Sequence, residues 1–177
     1  MTSPLSETST LSKPELAESQ LVVFTLAGCE AAVGIRQVRE ILRLGEITRM
    51  PKAPPFLEGI LNLRGKIIPV VDLKKKFQMP LLDRTDESRV LIVEIQDQMI
   101  GFLVDKVVEV LKLSMESVEA AREPVLNVGP ELLDGVLHLE KRLILLLSLK
   151  KLLTLDERPS HSDQEHSSAK EGKKIGY

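Results

Sequence analysis

Apolar residues fall in short runs along the middle of this chain, each ended by glycine, proline or a polar pair. Leu21 to Leu26, Ala31 to Ile35, Ile60 to Leu63, Ile67 to Val71, Val90 to Ile95, Met99 to Val104, Val136 to Leu139 and Leu143 to Leu147 have strand lengths and strand composition. Gly28, Gly65 and Gln96-Asp97-Gln98 sit where tight hairpins need turn residues. Met50-Pro-Lys-Ala-Pro-Pro55 belongs to no regular element, because proline lacks the N–H and restricts the residue before it. Short helical turns are expected after Asp72 and Ser148, over LKKKF and LKKLL. Many short strands at this spacing predict an all-β barrel or sandwich.

The pattern fades at both ends. Residues 1–19 and 156–177 are polar and lack apolar periodicity, so they read as disordered tails that folding does not need. The body runs from about Gln20 to about Leu155 and contains an internal repeat. A shift of 76 residues carries Gly59-Ile-Leu-Asn-Leu63 onto Gly135-Val-Leu-His-Leu139, Ile68 onto Ile144 and Leu73-Lys-Lys75 onto Leu149-Lys-Lys151. A shift of 69 carries Val38-Arg-Glu-Ile-Leu42 onto Val107-Val-Glu-Val-Leu111, leaving a longer second loop between Ser114 and Asp134. The expected lobes are about 20–88 and about 89–155. Units of about 65 to 70 residues bury little core alone, so the two are expected to share an apolar surface.

Composition narrows the function. Hydrophobic residues make up 43% of the 177-residue chain but aromatics only 3%, so the core must be built from Val, Ile and Leu. A formal charge of -2 leaves no basic footprint for nucleic acid and no basic face for an anionic membrane. Cys29 is the single cysteine, which rules out an internal disulfide and suits a reducing compartment. No apolar run has the length of a membrane span or of a leader's core, so a cytoplasmic protein is expected. No P-loop, G-x-G-x-x-G, G-x-S-x-G or H-E-x-x-H occurs, and the body holds one histidine, His138. No catalytic residue, metal site or cofactor is expected.

Ala32-Val-Gly-Ile-Arg-Gln-Val-Arg-Glu-Ile-Leu42, Leu57-Glu-Gly-Ile-Leu-Asn-Leu-Arg-Gly-Lys-Ile-Ile-Pro-Val-Val-Asp-Leu73 and Gly101-Phe-Leu-Val-Asp-Lys-Val-Val-Glu-Val-Leu111 resemble the CheW-like domain of chemotaxis coupling proteins. The resemblance spans nearly the whole body. It implies a fold of two five-stranded SH3-like β-barrels with short helical turns and an apolar seam between them. It also implies a non-enzymatic signal-transduction adaptor, working in the cytoplasm at receptor arrays. The implied partners are the regulatory domain of a CheA-type histidine kinase, itself CheW-like, and the cytoplasmic tip of a methyl-accepting chemoreceptor. Other readings are a coupler in a related system controlling motility, development or biofilm, and a small-molecule-binding or hydrolytic β-barrel. One departure is Ser148, where the family pattern has Asp.

The resemblance makes Glu40 and Arg64 a charged pair beside the receptor-binding surface. The repeat puts Glu109 and Glu140 at the matching positions, two acids, which implies that the barrel folds without such a pair. Gly59, Asn62 and Gly65 flank Arg64 and join it as partner-binding candidates; for the glycines, turn chemistry is the plainer reading. Val38 and Ile41 are either exposed apolar contacts or core. Lys74-Lys-Lys76 reads as a solvated face, and Cys29 as a structural thiol.

Overall fold

The computed structural model describes residues 18–156. Most of each expected tail, residues 1–17 and 157–177, lies outside the described residues. The strands are β1 (Glu18–Leu26), β2 (Cys29–Gly34), β3 (Val38–Arg43), β4 (Leu57–Leu63), β5 (Lys66–Asp72), β6 (Arg89–Ile95), β7 (Gln98–Val104), β8 (Lys106–Ser114), β9 (Val118–Glu119), β10 (Leu133–Leu139) and β11 (Arg142–Leu147). The helices are α1 (Leu73–Lys76) and α2 (Leu149–Asp156), and a 3-10 turn, Ile35–Gln37, joins β2 to β3.

Three hairpins close as expected. Ala27 and Gly28 have φ of 51° and 84°, Arg64 and Gly65 of 51° and 84°, and Gln96 and Asp97 of 51° and 64°. Positive φ at both central residues of a two-residue loop is the turn whose twist matches its strands. Both helical turns appear too. Asp72 caps α1 by accepting from the Lys74 N–H at 2.9 Å. Ser148 occupies the same place before α2: its N–H donates to Leu132 O at 2.9 Å, as Asp72 N–H donates to Phe56 O at 2.8 Å. Replacing the expected Asp by Ser therefore keeps the local backbone geometry.

The eleven strands form a six-stranded sheet ordered β8-β1-β2-β11-β10-β9 and a five-stranded sheet ordered β3-β6-β7-β5-β4. The expected boundary between residues 88 and 89 does not separate them. Each repeat lends its first hairpin to the other: β1–β2 pairs parallel with β11, and β6–β7 pairs parallel with β5. The five-stranded lobe is thus one continuous stretch, 38–104, inserted between β2 and β8 of the six-stranded lobe. The reason is burial. Leu21 and Val23 of β1 point into one lobe with Ala32, Leu137, Ile144 and Leu146. Val90 and Ile92 of β6 point into the other with Ile68, Val70 and Leu103. The alternate residues, Val22, Phe24 and Leu26 against Leu91, Val93 and Ile95, meet in a third cluster between the lobes. Strands apolar on both faces must sit between two cores, so they read as unbroken apolar runs. The lobe interiors are filled by these side chains.

β3 and β8, which no unbroken run marks, are end strands. Their burial alternates, half-buried then exposed, as one wetted face requires. Gly59 is buried within β4 at a register shift, not at a turn. Its φ is 150°, and a Cβ there would lie 2.1 Å from Thr48 O, whose segment pairs with Ile60. Gly28, by contrast, faces open space.

Gly28→Ala meets only the backbone penalty of a left-handed conformation, about 1 kcal/mol. Gly59→Ala adds a backbone collision, so its urea midpoint falls at least twice as far, with the denaturant slope unchanged. Equal losses in the two variants would show that the Thr48 segment moves aside freely.

Candidate functional site

The β4–β5 hairpin and β3 build the predicted site. Arg64 occupies the first turn position and projects outward, its side chain 75% exposed. Its Nη2 lies 2.7 Å from Glu40 Oε1 on β3. β3 and β4 are the two ends of the five-stranded sheet, with no ladder joining them, so this pair links one end strand to the hairpin that carries the other. Asn62 Oδ1 accepts from the Gly65 N–H at 3.0 Å, which locks the turn that presents Arg64. Gly65 is exposed. Gly59 is sealed under Thr48 and supports β4 without touching the surface. Val38 packs against the inter-lobe core, whereas Ile41 is exposed, so the structure separates these two candidates.

The surface extends to residues the sequence reading missed. Ile67, paired with Asn62 across the hairpin, is 68% exposed. Val108 and Val110 are exposed on β8, and Val110 stands where the repeat places Ile41. Val110 pairs with Val22, whose side chain belongs to the inter-lobe core, so the outward face of β8 continues that core into solvent. The signal was present: each half-exposed strand carries aliphatic residues on the face that its charges also occupy.

Glu109, the counterpart of Glu40, is paired after all. Arg142 Nη1 lies 3.2 Å from Glu109 Oε2, while its Nε and Nη2 bind Glu30 at 2.9 and 3.1 Å. The arginine enters two positions further along the hairpin than expected, and two residues along a strand is the same face. A bidentate bond from Glu30 holds Arg142 in its charged form and pushes its pKa further up. At 32% exposure it ties strands together, where Arg64 is presented.

A second charged cluster lies below α1. Glu58, its side chain 4% exposed, pairs with Lys75 and Arg84. Burial alone would raise its pKa, but the two cations outweigh that and leave it lowered. Burial raises the pKa of Asp72, only partly offset by the Lys74 N–H. The lysines after Asp72 are not one solvated face. Lys74 is buried against Asp105, and the Lys76 ammonium sits 4.4 Å from the Phe56 ring centre. Among the described residues, no cluster of His, Cys, Asp and Glu is arranged to hold a metal, and no helix is long and apolar enough to cross a membrane. Cys29 is a half-buried free thiol.

Residues 20–157 match the CheW-like domain family model. The chain belongs to the CheW-like domain family. It is 32% identical to the chemotaxis protein CheW of Klebsiella aerogenes over 143 residues, covering 81% of this chain and 86% of that protein. It is 31% identical to the chemotaxis protein CheW of Bacillus subtilis, covering 81% and 90%. The crystal structure of the scaffolding protein TtCheW from Thermoanaerobacter tengcongensis superposes with a TM-score of 0.70 at 38% identity, covering 74% of this chain and 84% of that one. The protein is thus a chemotaxis scaffold of the CheW family and not an enzyme.

Two predictions follow from the charges. Arg142→Ala should cost more stability than Arg64→Ala, about 1 to 2 kcal/mol against 0 to 1, because Arg142 is partly buried between two acids; equal midpoints in urea would show the two pairs to be equivalent. Glu58→Gln should lose about 2 kcal/mol at neutral pH. With its folded pKa lowered, the Glu58 carboxylate contributes stability above its unfolded pKa and loses it as pH falls through the folded value. Stability of the glutamine variant should therefore fall less steeply on the acid side. Asp72, with its pKa raised by burial and in part by the Glu58 charge, works in the opposite sense; its smaller rise in the glutamine variant offsets part of that difference.

Proposed function

We propose that this chain couples chemoreceptors to a CheA-type histidine kinase in the cytoplasm, holding the receptor's cytoplasmic tip and the kinase's CheW-like regulatory domain at once. The observation that carries the proposal is the presented pair: Arg64 held outward by an Asn62-locked turn and steered by Glu40. Ile41 and Ile67 stand exposed on the strands that carry the pair. An oriented arginine among exposed aliphatic side chains has the composition of a binding hot spot. Two lobes of one plan but different surface give separate docking faces, and a partner's state can pass to the kinase as a shift in its active population. The partner-binding set is Glu40, Ile41, Asn62, Arg64 and Gly65, with Val38 and Gly59 as internal support.

The test is co-purification with a CheA-type kinase, then ternary assembly with receptor and measurement of kinase control. Arg64→Glu should melt near the parent temperature, since an exposed pair is worth about 0 to 1 kcal/mol. Loss of a binding anchor costs about 2 kcal/mol, roughly thirty-fold in affinity, so receptor coupling should be strongly reduced. Partial recovery on adding Glu40→Arg would assign the pair a mutual orienting role. No recovery would leave Arg64 as a direct contact. Normal ternary assembly and kinase control in Arg64→Glu would remove it from the site.

A further inference from the structure

Among the described residues, the backbone passes between the lobes at two places: residues 34–38, through the 3-10 turn, and Asp105, the single residue between β7 and β8. Asp105 is bonded in three directions. Its N–H donates to Thr25 O at 3.0 Å, and its Oδ2 accepts from the Ala27 N–H at 2.7 Å, both at the tip of the β1–β2 hairpin in the six-stranded lobe. Its Oδ1 pairs with the ammonium of Lys74, from α1 of the five-stranded lobe. The Lys74 side chain is only 5% exposed, and its backbone N–H is held by Asp72. One carboxylate therefore ties a helix of one lobe to a hairpin of the other at a crossover.

The other crossover is built differently. The repeat places Arg36 where Asp105 stands and Lys150 where Lys74 stands, two like charges that cannot form this pair. The seam between the lobes is a continuous apolar cluster. Apolar burial is non-directional, so it strongly resists separation of the lobes but only weakly fixes the angle at which two smooth faces meet. A buried ion pair with an added backbone bond is directional, and removing one partner strands the other.

We propose that the Asp105–Lys74 pair is an inter-lobe clamp, which fixes the angle between the two sheets and with it the relative placement of partners held on different lobes. The geometry of the clamp stands by itself; only its consequence for partners rests on the coupling function proposed above.

The experiment uses the full chain with Cys29→Ser and spin labels at Asp97 and Lys141, exposed turn residues of opposite lobes. Pulsed electron resonance reads the distance between them. Asp105→Asn and Lys74→Met should each broaden or shift the distribution, and the Ala27 amide should exchange with solvent roughly tenfold faster in Asp105→Asn. Arg36→Gln, at the other crossover, should leave the distribution as it was. The double variant Lys74→Met with Asp105→Leu removes both charges and strands neither, so it reports even where a single change prevents folding. It too should broaden the distribution. A distribution as narrow and centred as the parent's in the double variant, or in both folded single variants, overturns the clamp, because packing alone would then set the angle. With receptor and kinase present, the clamp variants should bind each partner alone as before but lose the influence of one on the other. If the parent protein binds neither, the coupling function fails while the distances still decide the clamp.

Discussion

The seam between the two lobes is the constraint from which the rest of the structure follows. Each sheet curls around one aliphatic cluster and presents a second apolar face outward. Those two outward faces can only be buried against each other. Phe24, Leu26, Ala31 and Val33 from one sheet meet Leu91, Val93, Phe102 and Val104 from the other. All four phenylalanines of the chain lie in or against this cluster, and aliphatic side chains fill the rest of the layer between the sheets. Neither lobe has a polar face to turn to solvent in its place, so the body folds as one unit even though the chain contains two copies of one pattern.

Much of this is legible in the amino-acid order, and the remainder fails for identifiable reasons. Hairpins are legible because a two-residue loop with positive φ draws on a small set of residues, and because strands buried on both faces appear as unbroken apolar runs. β3 and β8 are hidden because they are end strands: their alternation of aliphatic and charged residues looks like surface. The lobe boundary is hidden for another reason. A repeat reports that two segments share a local plan; it carries no information on which copy each hairpin joins. The parallel pairings of β2 with β11 and of β5 with β7 are long-range choices made by the seam, which needs β1 and β6 sandwiched between clusters.

The charged residues show the same division. The resemblance to the family identifies Glu40 and Arg64, and the geometry joins them. The comparison between repeats misjudges Glu109 because it compares identical offsets, whereas a strand offers an equivalent position every second residue. Arg142 exploits that freedom. Lys74 is misjudged because a run of three lysines looks uniform in sequence, while a helical turn sends successive side chains in different directions. One goes inward to Asp105, one sideways to Glu58, and one over Phe56.

These differences between the copies bear on how a duplicated scaffold acquires an interaction surface. Both lobes pair an acid on an end strand with an arginine from the distal hairpin, Glu40 with Arg64 and Glu109 with Arg142. In the six-stranded lobe the arginine is held by two acids, so its donors are engaged by the fold. In the five-stranded lobe it has moved to the turn itself, keeps one acid, and leaves most of its guanidinium open to solvent. A guanidinium offers five donors in a fixed fork, and a single carboxylate engages only part of that fork. The remaining donors are oriented yet unused within the lobe, the state in which an arginine has least left to lose on meeting a partner. The same acid–arginine device is thus closed within one copy and, with a shift of two residues, left largely open to solvent in the other.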